Sequence, residues 1–384
     1  MSTVDATRTA SRRVAVALGY QTWADGAARG HSWSPDQMVL RLCADPTIAH
    51  VTVADPARHP WRLWQARAGG DRLPGTADAQ ARLVRPWRLG RGEPSGRAGA
   101  LRVQRRVDAH LRDLVEARDT VLVTCHPLLA AVAERDAWAD VVYYGWDDWA
   151  AYAPLGRGRA LVEEAYAAMA DRDVHVVGVT RAVVDRIGAP RSTVVPNGVD
   201  AADLALAHRV PAWFADLHPT PTLFYAGSLE DRVDVDSLVA LARALPDHVV
   251  VLVGPMLMPE WFAPLAALPN VLVRGLHPRQ EVLSMARAAA VCLVPHRDTP
   301  LTRAMSPLKL YEYLGVGTPV VATDLEPMRG VSERCLLVPP GDPLDVAVLR
   351  ASSLPPATHQ ELADFRSRHD WSARYEVWRE AVLG

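Results

Sequence analysis

Residues 305–323 read MSPLKLYEYLGVGTPVVAT, and two of their side chains are spaced for chemistry. Ser306 is a good N-cap, and Pro307 fits a first helical position, where its missing N–H costs nothing. Lys309 then falls in the first turn, the end where the helix dipole disfavours a cation. An anion bound there resolves the conflict, because free N–H groups beside an ammonium make a phosphate site. Glu312 lies three residues on, on the same face. One turn below a phosphate, its carboxylate is placed to accept from both hydroxyls of a ribose. Lys309 is also the sole lysine among 42 basic residues, the others all being arginine. A compact point charge is wanted at this position rather than a planar fork. The alternative is a surface helix with an incidental Lys and Glu, against which stands the clustering of Ser, Pro, Lys, Glu and two glycines.

The surrounding elements must hold that stretch. Leu308, Leu310, Tyr311 and Leu314 give it an apolar stripe, Gly315 and Gly317 stop the helix, and Val320–Ala322 is a buried strand. Upstream, Thr222–Ala226, Val249–Val253, Val271–Arg274 and 290–295 read as strands, with Cys335–Val338 after. Helical patterns over 235–245, 281–289 and 358–368 alternate with them. The first strands of this block run into glycines, at Gly227-Ser228 and Gly254. An earlier block has strands at 14–19, 50–54, 121–125, 140–144, 174–179 and 192–196, with helices at 35–43, 101–118, 161–170 and 181–187. Residues 71–99, rich in Gly and Pro, read as loop. Two alternating blocks predict an α/β chain of two doubly wound, Rossmann-like domains. The expected divisions are 1–203, 204–370 and a terminal helix over 371–384 that packs back on the first domain. Strand ends in such domains face a cleft where ligands bind.

At 384 residues and 49% hydrophobic, the chain can fill two cores. A net charge of -2 gives no general affinity for nucleic acid, and no recognition motif is present. The four cysteines form no CxxC pair and read as reduced core residues of a cytoplasmic protein. The polar start has no signal-peptide core, and no apolar run reaches the length of a membrane span. From Arg58 to Arg118 arginines are interleaved with Trp61, Trp64 and Trp87. An anionic acceptor, a membrane surface or plain solvation each fits that pattern; solvation is favoured, with peripheral membrane contact next.

In the first block, Asp147 and Asp148 follow a strand and invite a metal, but no His or Cys cluster accompanies them, so no metal is expected. Either is a candidate general base or a loop cap. His126, at another strand end, is a second base candidate, since such a histidine titrates near neutrality. Asp25 and His31, in the loop after the first strand, face the same cleft and are candidate acceptor contacts or plain loop residues, and Trp146 is a candidate for stacking on a sugar or for the core.

The two blocks, with VPNGVD closing the first and FYAGSLEDRVD, VLVGP and SPLKLYEYLGVGTPVV in the second, resemble the GT-B glycosyltransferases, closest to bacterial enzymes acting on polysaccharide, lipid-linked or natural-product acceptors. The resemblance implies an acceptor-binding first domain and a second domain holding a nucleotide diphosphate-sugar, with UDP the working expectation for the nucleotide. It implies that Gly227, Ser228 and Gly254 let backbone approach the phosphates, and that Arg232 neutralises the diphosphate. It places His277 beside the base, Ser306, Leu308 and Lys309 at the diphosphate, and Glu312 at the ribose. Many retaining members carry a glutamate eight residues before the ribose glutamate; here that residue is Ala304. Its absence favours inversion, with Asp148, then Asp147 and His126, as the base. The expected activity is metal-independent transfer of a sugar to an acceptor hydroxyl, with no cofactor. Alternatives are a nucleotide-sugar epimerase on the same fold and a non-catalytic sugar-nucleotide-binding subunit.

Overall fold

The computed structural model describes residues 12–61, 73–74, 80–90, 96–152, 156, 158–206 and 209–384. The chain divides into two compact units, residues 1–196 with 375–384, and residues 197–374. The division falls at Asn197 rather than at 203, because Asn197 is hydrogen-bonded to Ser306 in the second unit. Helix Trp371–Leu383 is shared: its residues from Tyr375 on belong to the first unit, where the Tyr375 hydroxyl donates to Asp45 at 2.8 Å.

The first unit is a seven-stranded parallel sheet of order β3-β2-β1-β4-β5-β6-β7. Its strands are β1 (Arg12–Ala17), β2 (Ile48–Ala54), β3 (Gln80–Val84), β4 (Thr120–Thr124), β5 (Asp140–Gly145), β6 (His175–Gly178) and β7 (Ser192–Val194). Strands β5 and β6 are buried almost throughout, as expected of parallel strands covered on both faces. β3 corrects the reading of 71–99 as loop. It pairs with β2 from His50↔Gln80 to Ala54↔Val84 at the sheet edge, where a short QARLV run suffices.

The second unit is a six-stranded parallel sheet of order β10-β9-β8-β11-β12-β13. Its strands are β8 (Thr222–Ala226), β9 (Val249–Val253), β10 (Val271–Arg274), β11 (Val291–Val294), β12 (Val320–Thr323) and β13 (Cys335–Val338). Alternate residues feed two cores. Phe224, Val251, Cys292 and Val320 pack with Leu310, Tyr313 and Leu314 of helix Leu308–Gly315 on one face. Leu223, Val250, Leu293 and Val321 pack with Leu238, Leu241 and Phe262 on the other. Each such buried side chain contributes about 1.5–3 kcal/mol. Helix 308–315 is thus held by its apolar stripe, leaving its first turn at the carboxyl ends of the strands.

In both sheets chain order reverses once, between β1 and β4 and between β8 and β11. Crevices at such reversals are where open α/β sheets bind ligands. The residues following those strands are Leu18–Tyr20 and Cys125–His126 in one unit, and Gly227–Ser228 and Pro295–Arg297 in the other.

Candidate functional site

In the second unit the site is built on the start of helix 308–315. Pro307, not Ser306, is the N-cap, and no side chain caps the helix. Ser306 is engaged elsewhere: its hydroxyl accepts from the Asn197 amide at 3.2 Å and its carbonyl from the Asn197 side chain at 2.5 Å. That corrects the reading of Ser306 as a cap. It leaves the first-turn N–H groups, beginning at Leu308, without a side-chain acceptor, which suits an anion.

Lys309 extends from this turn to β8. Its ammonium donates to the Tyr225 hydroxyl at 2.8 Å and lies 4.0 Å from the Tyr225 ring centre. A Cβ on Gly227 would meet the Lys309 nitrogen at 2.5 Å, and Gly227 has φ +150. A Cβ on Gly254, whose φ is +143, would meet the Gly227 carbonyl at 2.0 Å. Both glycines are therefore required, the first for the ammonium and the second to let two strand-end loops stack backbone on backbone. Ser228 completes the turn, its carbonyl accepting from Tyr225 at 3.4 Å.

Arg232 approaches the same place, paired with Glu230 and donating to the Met305 sulfur at 3.4 Å. Burial, then Arg232, push the Lys309 ammonium down to about 7, with Glu312 and Glu230 pulling the other way. His296, just past β11, is fully buried, and neither ring nitrogen has a hydrogen-bond partner. Burial, then Lys309 and Arg232, hold it neutral. The cluster stores positive potential that an anion would relieve.

Glu312 is on the same helix face, and its carboxylate receives Arg279, which also lies 3.4 Å from Asp203. Glu312 raises the Arg279 pKa further still. The ribose role assigned to Glu312 therefore involves a carboxylate already oriented by a guanidinium. His277 pairs with Glu281 at 2.8 Å, and its ring is 5.6 Å from that of Trp213.

The lowered Lys309 value gives a signed expectation. Binding a nucleoside diphosphate restores the ammonium, so at pH 8 binding should take up a proton, and at pH 6, where Lys309 is already charged, it should not. Calorimetry in two buffers of different ionisation enthalpy measures the uptake; equal apparent enthalpies at pH 8 would show that Lys309 does not titrate on binding.

In the first unit, the geometry revises the base candidates. Asp148 is 2% exposed and accepts from the amides of Ala150 at 3.1 Å and Ala151 at 3.3 Å, with Arg186 at 3.3 Å. Burial raises its pKa against Arg186 and those amides. It is a buried loop cap rather than an accessible base. Asp147 is half-buried and accepts from the Asp148 amide at 2.9 Å.

His126 caps helix Pro127–Val132, its Nδ1 accepting from the Leu128 amide at 3.2 Å, and burial pushes its pKa down to about 4. With Nδ1 occupied as an acceptor, the neutral ring carries its proton on Nε2. That atom lies 3.2 Å from Nε2 of Gln104, so the amide must present its oxygen to the ring. His126 is a donor here, not a base. Asp25 is half of a capping box with Thr22 on helix Trp23–Ala28, and lies 3.6 Å from Arg58. Burial raises its pKa, but the Thr22 hydrogen bonds, Arg58 and Arg29 outweigh that and hold it low. His31 stacks on Trp23 at 4.1 Å, and burial lowers its pKa. Neither has the setting of an acceptor contact. Trp146 belongs to an aromatic chain, 5.4 Å from Trp33 and 5.2 Å from Trp149, which reaches Tyr20 at 4.3 Å.

Tyr20 and His126 line a cavity of about 870 Å³ within this unit. Val103, Val107, Leu128, Leu129 and Leu161 form one wall, and Arg58, Arg88 and Gln104 contribute polar groups.

Residues 220–349 match the family described as glycosyl transferases group 1. The matched residues all lie in the second unit. The glycosyltransferase TuaH of Bacillus subtilis (strain 168), described as acting in teichuronic acid biosynthesis, is 31% identical over 105 residues, 27% of this chain. The match spans about a quarter of TuaH, 26% of its length. Anabaena Alr3699/HepE, solved with UDP and glucose, is 14% identical with a TM-score of 0.64, covering 96% of this chain and 99% of HepE. A trehalose 6-phosphate synthase of Burkholderia multivorans is 15% identical with a TM-score of 0.68, covering 97% of this chain and 98% of its own. The fold is GT-B, as the sequence implied.

Within this GT-B second unit, Tyr225, Arg279, His296 and Asn197 are site residues that sequence reasoning missed. Tyr225 had a signal, standing directly before the Ala226-Gly227-Ser228 turn. Arg279 and His296 had none, because one is identified only by its partner Glu312 and the other only by burial beside Lys309.

Proposed function

We propose that this chain is a glycosyltransferase that moves a sugar from a nucleoside diphosphate donor to an acceptor hydroxyl. The observation that carries the proposal is Lys309, held 2.8 Å from Tyr225 beside an uncapped helix start at the sheet's reversal point. Arg232 and the first-turn amides add to its field, so the leaving diphosphate is stabilised without a metal. HepE's complex with UDP supports uracil as the base. The separate cavity of the first unit favours transfer over epimerisation, which needs no acceptor.

With Asp148 and His126 committed to capping, inversion would rest on Asp147 alone. Retention needs no protein base: the acceptor oxygen bonds to the anomeric carbon, the bond to phosphate breaks, and the acceptor proton passes to the leaving phosphate oxygen. A trehalose-6-phosphate synthase of similar fold, 14% identical with a TM-score of 0.64, is described as transferring glycosyl groups with retention. We therefore favour retention here. The test is product formation from UDP-sugars in excess EDTA, with the product anomer read by NMR. An inverted anomer would restore Asp147 as base; abolition by EDTA with recovery on Mg²⁺ would end the metal-free reading. Absence of both transfer and donor hydrolysis across a nucleotide-sugar panel would favour a binding subunit.

No helix among the described residues is long and apolar enough to cross a membrane. Peripheral contact is supported by Trp61, Trp87 and Leu89, 63%, 59% and 71% exposed, beside Arg58 and Arg88. Co-sedimentation with vesicles containing anionic lipid, lost in Trp61→Ala/Trp87→Ala, is expected; equal binding of wild type and variant would remove these residues from the contact.

A further inference from the structure

The loop that follows β8 reads Gly227-Ser-Leu-Glu-Asp-Arg-Val-Asp234 and carries three carboxylates beside Arg232. Acidic side chains at an anion site oppose its charge, so each needs a reason. Asp231 is exposed, and Asp234 caps helix Val235–Ala244, accepting from the Ser237 amide at 3.0 Å. Glu230 does neither. Its side chain is 15% exposed and is paired with Arg232, itself 21% exposed.

Backbone holds this pair in place. Leu229 and Val233, both fully buried, flank it. The Leu229 amide donates to the Pro255 carbonyl at 2.9 Å, past β9, and the Asp234 amide to the Pro295 carbonyl at 2.8 Å, past β11. The Glu230 carbonyl accepts from the Val233 amide at 3.1 Å, and the Arg232 carbonyl from the Arg297 amide at 2.8 Å. The turn is pinned at both ends, so side-chain rotation is what can separate Glu230 from Arg232.

The groups that face Glu230 come from several elements. Arg232 shares its turn, Lys309 comes from helix 308–315 and Tyr225 from β8; Glu230 acts to raise the pKa of both Lys309 and Tyr225. His296 is neutral and adds no charge. Glu312, the other carboxylate acting on Lys309, is engaged by Arg279. Glu230 is thus the carboxylate that offsets two cations at the helix start. The Arg232 guanidinium has capacity to spare. Its Nε is buried without a hydrogen-bond partner, and it reaches the Met305 sulfur, one residue before Ser306, at 3.4 Å. A phosphate oxygen at the helix start would offer it a charged acceptor in place of a thioether.

We propose that Glu230 is an internal substitute for the diphosphate: it neutralises Arg232 while the site is empty, and its charge opposes the nucleotide when the site is filled, which hastens release of the nucleoside diphosphate product. This deepens the transferase reading and rests on it. Product release limits turnover in many enzymes, and a carboxylate set against a diphosphate shortens the residence of that product without touching the reacting carbon.

Binding of UDP and uridine to the full chain is measured by calorimetry, and UDP release by stopped-flow displacement. Glu230→Gln keeps the shape and removes the charge. It should bind UDP about tenfold more tightly and release it correspondingly more slowly, with uridine affinity unchanged. Asp231→Asn removes the same charge one residue on and should leave UDP affinity at wild-type level. Arg232→Gln should weaken UDP, and adding Glu230→Gln to it should recover about tenfold, because Glu230 otherwise faces the diphosphate without its partner. That double variant leaves neither charge of the pair buried alone, so it carries the test should Glu230→Gln not fold. Unchanged or weaker UDP binding in Glu230→Gln, or no recovery in the double variant, overturns the proposal. An equal gain for uridine or in Asp231→Asn overturns it too, since the effect would not come from Glu230 against the diphosphate. Weaker binding of a UDP-sugar with UDP unchanged would make Glu230 a sugar contact instead. If wild type binds neither UDP nor any other nucleoside diphosphate, the transferase reading fails, whatever Glu230 does.

Discussion

Lys309→Ala is expected to lower kcat on the order of 10²-fold or more, the usual loss when one preorganised donor to developing charge is removed. UDP affinity should fall less, because the ammonium meets charge that grows as the diphosphate leaves. Lys309→Arg should remain about tenfold or more below wild type. Gly227 has no space for a wider head, since even a Cβ there would lie 2.5 Å from the ammonium, and a planar fork cannot replace a point charge held on Tyr225. The stability effect has the opposite sign. Lys309 titrates at about 7 in the fold and near 10.4 unfolded, so its desolvation cost is fully present below pH 7 and is relieved as pH rises through that window. Lys309→Met should therefore raise Tm at pH 6 and matter less at pH 9. Turnover and thermal melts on the same preparations measure both. An incidental surface lysine would move neither, and wild-type turnover in Lys309→Arg would end the point-charge argument.

The legibility of this site in the sequence was uneven for physical reasons. Lys309 and Glu312 were readable because helical spacing is local and a lone lysine among arginines is conspicuous. Strands β8, β9, β10 and β13 fell where apolar runs put them, since a strand buried on both faces reads as a continuous run. The first unit was less readable. Its edge strand β3 is short and flanked by Gly and Pro, and its crevice is lined by loops whose partners are distant in sequence. Thr22-x-x-Asp25 is a capping box spelled in four residues, yet Asp25 was taken for an acceptor contact. Asp148 carried the opposite lesson: an acidic residue after a strand announces a cap or a base alike, and only burial and Arg186 decide. Trp64 lies outside the described residues, so the membrane reading rests on Trp61 and Trp87.

Glu312→Gln is expected to weaken UDP binding tenfold or more, since two charge-assisted bonds to ribose, each worth roughly 1.5–3 kcal/mol, become neutral ones. The pairing with Arg279 complicates the single mutant. Glu312 is only 15% exposed at its side chain, and removing its charge leaves Arg279 with Asp203, at 3.4 Å, as a counter-charge. Part of any loss would then be a disturbed fold rather than a lost ligand contact. A double-mutant cycle with Arg279→Met separates the two. If Arg279 only orients Glu312, the double mutant should regain stability relative to Glu312→Gln but not UDP affinity. A 2′-deoxy nucleotide sharpens the test: it offers one hydroxyl fewer, so Glu312→Gln should cost it less than it costs UDP. Calorimetry with UDP and 2′-deoxy-UDP on all four proteins, alongside thermal melts, decides. Should Glu312→Gln lower Tm yet bind both nucleotides as wild type does, Glu312 is a structural partner of Arg279 and the ribose contact must be made elsewhere. Should the deoxy nucleotide lose as much as UDP, the carboxylate acts on the nucleotide without reading its 2′-hydroxyl.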